Sequence, residues 1–229
     1  MQPAPSLARG EVMLTREQAR RFYDRFGAKQ DAQWFYESPP VTKALEQGAF
    51  QNARSVFEFG CGTGHVAEML LDQYLAPSAT YEGCDLSTTM ITLARRRLAK
   101  FGDRAKLSVS DGTPHLSGVG ADRFDRFVSN YVVDLLATED IAVLIDAAHR
   151  VLRPNGRLCL VSLTFGVSPM SHSMMWLWQR LHALRPQLVG GCRPVRLTEF
   201  LSVQRWRVAY QDVFVAYGIP SEVLVADKL

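Results

Sequence analysis

Several things are missing from this 229-residue sequence, and each absence narrows the reading. The four cysteines, Cys61, Cys84, Cys159 and Cys192, include no close pair. That spacing carries no zinc or redox motif and no disulfide framework, so free thiols, buried or half-buried, are expected. No apolar run is long enough to cross a bilayer, and Met1 to Leu14 holds no signal-peptide core; a soluble cytoplasmic protein is the expectation. An excess of one charge is lacking too. Lys and Arg number 26 against 23 Asp and Glu, a net charge of +3, and so small a bias gives a nucleic-acid partner little support. No metal-ligand cluster, internal repeat or low-complexity tract is visible, and no metal is expected.

What is present centres on Ser55 to Met69, Ser-Val-Phe-Glu-Phe-Gly-Cys-Gly-Thr-Gly-His-Val-Ala-Glu-Met. Val56, Phe57 and Phe59 suit a buried strand. Gly60, Gly62 and Gly64 follow at alternate positions, and then Val66, Ala67, Met69, Leu70 and Leu71 fall at helical spacing. The pattern predicts strand, tight turn, helix. Glycine reaches the backbone angles of such a turn and lets a ligand approach the main chain. The helix N-terminus adds free N–H groups. A dinucleotide loop would place its third small residue at position 65, which is His65, and no Lys-Ser or Lys-Thr follows Gly64 as a phosphate loop requires. From these residues alone, a nucleoside-binding loop, a pyridine-nucleotide unit and a plain structural turn stay open.

Along the rest of the chain, Pro3, Pro5 and Gly10 predict a frayed start. Thr15 with Gln18 predicts a capped helix to about Phe26, and Ser38-Pro39-Pro40 predicts a second helix over about 41–48. The aromatics of Tyr23 to Phe26 and Trp34 to Tyr36 either pack these helices or cover a ligand. Ala79 to Asp85 reads as a strand that ends on an acid about twenty residues past the glycines, where a carboxylate can accept from both ribose hydroxyls or cap the next helix. Leu86 and Met90 would flank the base. The basic run Arg95-Arg96-Arg97 reads as a solvated helix face. Further strands are predicted at Leu107 to Ser110, Phe124 to Val128 and Leu158 to Leu163, with a helix over about 139–152 between the last two. A Met- and Trp-rich helix follows Ser171-His172-Ser173. Trp206 to Tyr217 and Val223 to Val225 form a terminal antiparallel pair.

The pattern Glu58-x-Gly60-x-Gly62-x-Gly64 resembles the first motif of the class I S-adenosylmethionine (SAM)-dependent methyltransferases. The strand-end Asp85, the Asp111-Gly112 pair, the turn Leu152-Arg153-Pro154-Asn155-Gly156-Arg157 and the terminal hairpin resemble the same family. The resemblance implies a Rossmann-like α/β fold, doubly wound, with a seven-stranded sheet, mostly parallel with a C-terminal antiparallel hairpin. It implies one domain over 1–229: a helical lid over 1–50, a cofactor-binding core over 51–165, a substrate-pocket insertion over 166–200 and the hairpin over 201–229.

The resemblance also implies the cofactor, SAM, and its contacts: Tyr23 as a cover, Glu58, Gly60, Gly62 and Gly64 in the loop, Asp85 at the ribose, Leu86 and Met90 beside the adenine, Asp111 and Gly112 at its amino group, and Asn130 where the methyl group is delivered. Tyr131 and His172 are the candidates for orienting the acceptor, expected to be a small molecule. Asp134 stands where many family members carry a histidine, which weighs against histidine catalysis there. Arg180, Arg185, Arg193 and Arg196 suggest a pocket for an apolar molecule with an anionic group. An NAD-dependent oxidoreductase and a non-catalytic binding protein are the alternatives.

Overall fold

A computed structural model describes residues 13–229; the expectation of a frayed start over residues 1–10 lies outside them. The predicted sheet is present. Strands β1 (Ser55–Phe59), β2 (Thr80–Asp85), β3 (Ala105–Val109), β4 (Phe124–Asn130), β5 (Leu152–Leu163), β6 (Trp206–Ala216) and β7 (Ile219–Lys228) form one seven-stranded sheet in the order β3-β2-β1-β4-β5-β7-β6. The first five run parallel, and β7 pairs antiparallel with both β5 and β6. After β3 the chain crosses back over β1 to lay down β4. That reversal opens a crevice beyond the carboxyl ends of β1 and β4.

Alternation along the central strands builds two cores. Phe57, Phe127, Leu158, Leu160 and Leu224 face α5 (Thr138–Val151), while Val56, Val128, Cys159, Val161 and Val225 face α2 (Trp34–Gln47), α3 (His65–Met69) and α4 (Thr88–Leu98). A strand's period of two sends neighbouring side chains to opposite layers, so continuous apolar runs mark strands buried on both faces. The turn at 153–156 survives as a bulge: Phe124 pairs with Leu152 but Arg126 with Arg157, and Asn155 has φ 62°.

The N-terminal helices sit against the crevice. α1 (Arg16–Phe26) starts with the predicted capping box of Thr15 and Gln18. α2 starts earlier than the prolines suggest, at Trp34, with Pro39 and Pro40 inside it. Proline usually marks a helix start because it lacks an N–H. Here tertiary packing holds the preceding turn: Trp34 lies edge-on to His65 at 4.4 Å, and Tyr36 lies edge-on to Tyr131 at 6.0 Å. α6 (Pro169–Leu184) is capped by Ser168, three residues before the predicted opening.

Polar ties hold the segment 16–33 on the sheet. Asp24 accepts from the Ser87 hydroxyl at 2.6 Å and the Thr89 N–H at 3.3 Å. Asp31 accepts from the Thr63 hydroxyl at 2.6 Å and pairs with Arg97, which also donates to the Thr63 hydroxyl at 2.7 Å. Arg97 is therefore not part of a solvated face. Its guanidinium joins the glycine loop, α4 and the N-terminal segment.

Candidate functional site

The loop between β1 and α3 is built as its glycines require. Gly60, Gly62 and Gly64 have φ values of 78°, 51° and 78°. The N–H groups of Gly60 and Cys61 both donate to the Cys84 carbonyl, at 2.8 and 3.0 Å, which folds the loop back on the end of β2. Asp85 completes the brace. One carboxylate oxygen accepts from the Gly62 N–H at 2.9 Å and the other from the Ser87 N–H at 2.8 Å. Burial raises the Asp85 pKa, and these two N–H bonds oppose the shift. Each oxygen keeps a lone pair for a further donor.

A cavity of about 160 Å³ opens above this loop. Gly60, Asp85, Leu86, Ser110, Gly112 and Asn130 line its floor and sides, and Tyr23 of α1 and Tyr131 lie across them. A smaller cavity of about 50 Å³ continues along Glu58, Gly60, Gly62, Thr63 and Asn130. Two groups here lack partners. Both polar atoms of the Asn130 amide and Oε1 of Gln30 are buried without a hydrogen bond. A desolvated amide left unpaired is unfavourable, so both are suited to a polar ligand. Gln30 also crowds the loop, since a Cβ on Gly62 would lie 2.8 Å from its Oε1.

Glu58 lies behind the loop, 2% exposed, accepting from the Tyr81 hydroxyl at 2.6 Å. Burial pushes its carboxyl up to about 7, while the hydrogen bond from the Tyr81 hydroxyl pulls the other way. A native carboxyl raised from 4.5 binds more protons than the unfolded chain between those two values, so its contribution to stability falls as pH rises through that window. Glu58→Gln removes the titration. Between pH 4.5 and 7 the wild type is expected to lose stability against this variant, by up to about 3 kcal/mol in urea unfolding. Parallel curves for the two proteins would show that Glu58 titrates normally.

Four predicted site residues are placed elsewhere. Gly64 lines none of these cavities and serves instead to let the start of α3 pack against Ala94 of α4. Asp111 is exposed, and its carboxylate accepts from the Thr113 N–H at 2.8 Å and hydroxyl at 2.7 Å, so Ser110 and Gly112 form the cavity wall there. Met90 is 1% exposed within the buried face of α4, away from the cavity that Leu86 lines. His172 is exposed on the first turn of α6, its Nδ1 2.7 Å from the Ser168 carbonyl, and lines none of the cavities described. The buried face of that turn belongs to Ser171 and Met175.

Tyr131 does reach the site. Its φ of 54° turns the chain out of β4, and its hydroxyl lies 2.8 Å from the Ser221 hydroxyl. Strained backbone of this kind recurs at functional positions. The basic residues of the insertion do not reach it. Arg180 lies over Trp176, Arg196 over Phe165, Arg185 is exposed, and Arg193 donates to the Leu136 carbonyl at 2.9 Å. Sequence reasoning left Gln30, Asp31 and Glu37 aside. The acid directly after Trp34-Phe35-Tyr36 was the available signal for Glu37.

A sequence profile described as "Methyltransferase domain" matches residues 56–156. A non-reducing polyketide synthase of Aspergillus terreus is 32% identical over 126 residues, 52% of this chain and 5% of that protein. The tRNA N(3)-methylcytidine methyltransferase Mettl2 of Drosophila melanogaster is 28% identical over 149 residues, 61% of this chain and 46% of that one. The ubiquinone/menaquinone biosynthesis C-methyltransferase UbiE of Paracoccus denitrificans is 29% identical over 143 residues, 61% of this chain and 53% of that one. The chain thus spans about half the length, or much less, of these curated relatives. In fold it is similar to the N-methyltransferase NodS of Bradyrhizobium japonicum in complex with S-adenosylhomocysteine (SAH), with a TM-score of 0.68 at 17% identity over 92% of this chain and 98% of that one. In its glycine loop, strand-end acid and sheet order, and in the profile match over residues 56–156, the chain is similar to the class I SAM-dependent methyltransferases.

Proposed function

We propose that this chain transfers a methyl group from SAM to a small-molecule acceptor. The observation that carries the reading is the cavity above the glycine loop, where the Asp85 carboxylate and the unpartnered Asn130 amide meet. The residues present fit the cofactor. Asp85 would hold the ribose hydroxyls, and Leu86 with Ser110 and Gly112 would hold the adenine. The loop Gly60 to Thr63 and Asn130 would hold the methionyl end, with Glu58 supporting the loop from behind. SAM supplies a methyl group on an electrophilic sulfonium.

The protein's part is alignment. Fixing two reactants in one geometry is worth about 7–11 kcal/mol of a barrier. Tyr23 and Gln30, on the segment tied down through Asp24 and Asp31, would cover the cofactor. Tyr131, held by Ser221, would orient the acceptor. In this reading residues 1–50 serve as lid, 51–165 as cofactor core and 166–200 as a wall of the acceptor pocket, and 201–229 closes the sheet.

The tRNA methyltransferase among the relatives raises an RNA acceptor as the other reading. The aromatic and apolar walls beside Tyr131 favour a small molecule over a phosphate backbone, which would call for Lys and Arg. Among the described residues no helix is long and apolar enough to cross a membrane. The four free thiols suit a reducing, cytoplasmic setting.

Ligand protection tests the function. SAH at a hundredfold excess over its Kd adds about 2.7 kcal/mol to the folded state and raises Tm. NADH at the same concentration is expected to leave Tm unchanged. Protection by NADH but not by SAH would move the chain to hydride transfer, and protection by SAH without multiple turnover on any acceptor would leave a binding protein.

A further inference from the structure

A second cavity, of about 200 Å³, lies between α1, α2 and the segment that follows α6. Tyr23, Tyr36, Tyr131 and Trp178 give it aromatic walls. Glu37 lines it, and among the described residues no Lys or Arg does. Glu37 also lines the small cavity along the glycine loop, so it borders both spaces. The groups that act on its carboxyl are Tyr36, Asp134 and Asp31, none of them cationic. The cations Arg21 and Arg25 of α1, and Lys29 just after it, line a different groove.

Asp134 adds a second, independent observation. It is fully buried; one carboxylate oxygen accepts from the Leu163 N–H at 3.2 Å, and Oδ1 has no hydrogen-bond partner. Burial pushes its own carboxyl up to about 7, and where it is ionised it raises the pKa values of Tyr23, Tyr36, Glu37 and Tyr131, all residues of the cavity wall. Arg193 offsets part of that charge, while its guanidinium also donates to the Leu136 carbonyl and the Thr138 hydroxyl.

The sign of this environment selects its occupant. A half-buried carboxylate with no cation among the cavity walls gains from an entering cation. Aromatic faces attract the same charge. An anion would meet like charge, and a neutral molecule would gain packing alone. We propose that the methyl acceptor is an amine that enters as an ammonium ion, seated among Tyr36, Tyr131 and Trp178 with Glu37 as its carboxylate partner. This rests on the methyltransferase reading above.

The chemistry balances. Glu37 takes one N–H proton and becomes a carboxylic acid. The freed nitrogen lone pair forms the bond to the methyl carbon, the electron pair of the broken C–S bond stays on sulfur, and the positive charge ends on the methylated nitrogen. Burial pushes the Glu37 carboxyl up to about 7, with Asp134 and Asp31 adding to the shift and Tyr36 opposing it. Such a group accepts a proton near neutral pH.

Three probes of one shape test this on the full chain saturated with SAH: benzylamine, benzyl alcohol and benzoate, titrated by calorimetry at neutral pH. Benzylamine is expected to bind about tenfold more tightly than benzyl alcohol, and benzoate more weakly than either. In Glu37→Gln the amine's advantage is expected to shrink to about twofold or less. Benzoate binding as well as benzylamine, an advantage that survives Glu37→Gln, or no binding by any of the three would overturn the proposal. SAH binding is measured first. Its failure removes the methyltransferase reading, whereas SAH binding without the amine preference removes this proposal alone.

Discussion

Asp85→Ala is expected to weaken SAH binding about ten- to hundredfold in calorimetry. Hydrogen bonds to an ionised acceptor are worth about 1.5–3 kcal/mol, and 1.4 kcal/mol is a factor of ten. The structure adds a second effect. The same carboxylate accepts from the Gly62 N–H at 2.9 Å and the Ser87 N–H at 2.8 Å, so its removal leaves both without their acceptor. The glycine loop and the start of α4 lose their common brace, and the apo protein is expected to lose about 1–3 kcal/mol of stability as well. Asp85→Asn separates the two effects. Its amide oxygen can replace one acceptor, so stability returns in part while the charge-assisted bonds to ribose do not. An SAH affinity within threefold of wild type in a folded Asp85→Ala protein would show that the ribose is held by other groups.

The parts of this site legible in the sequence are those fixed by local backbone need. Three glycines at alternate positions after a strand announce a left-handed turn, and an acid closing the next strand lies beside it by topology. Asp85 and Leu86, which line the cavity, are read from the sequence this way. Asp111 is lost by a small shift of register. β3 ends at Val109, which pairs with Asp85, so Ser110 stands beside the cavity and Asp111 has already left the sheet. One residue along a strand changes the face, and an Asp followed two residues on by Thr bonds locally.

Met90 and His172 fail for a helical version of the same reason. Which side of a helix faces a crevice depends on packing, and α4 buries Met90 with Ile91, Ala94 and Leu98. On α6, Ser171 and Met175 are buried four residues apart, and His172 is left outside. Glu37 was hidden by two prolines that normally start a helix. Only the three-dimensional contacts of Trp34 with His65 and Tyr36 with Tyr131 show that the preceding turn is helical and borders the cavities. The arginines of the insertion suggested an anionic acceptor by composition, yet Arg180 and Arg196 lie over exposed rings, Arg193 bonds to main chain and Arg185 is exposed. The charge of a pocket depends on which side chains turn inward, and that is set by tertiary packing.

Gly60→Ala is expected to destabilise the fold by about 2–5 kcal/mol, a large part of the 5–15 kcal/mol that holds a typical domain. Two costs combine. At a φ of 78° a Cβ meets its own carbonyl, a penalty of about 1–2 kcal/mol. The new methyl would also lie 2.2 Å from Cγ2 of Val132, which demands repacking worth about 1–3 kcal/mol. Val132→Ala in the same chain relieves the second cost and not the first, so the pair is expected to be coupled by about 1–3 kcal/mol in a double-mutant cycle read by urea unfolding. Val132 follows Tyr131, and the contact sets how closely the chain leaving β4 approaches the loop after β1. Gly60 leaves room for the Val132 side chain between those two turns, at the edge of the cavity that Asp85 and Asn130 line. A Gly60→Ala protein as stable as wild type, or a Val132→Ala partner that restores nothing, would mean that the spacing of the two turns is set elsewhere, and the floor of the cavity would then have to be attributed to the Cys84 carbonyl that the N–H groups of Gly60 and Cys61 share.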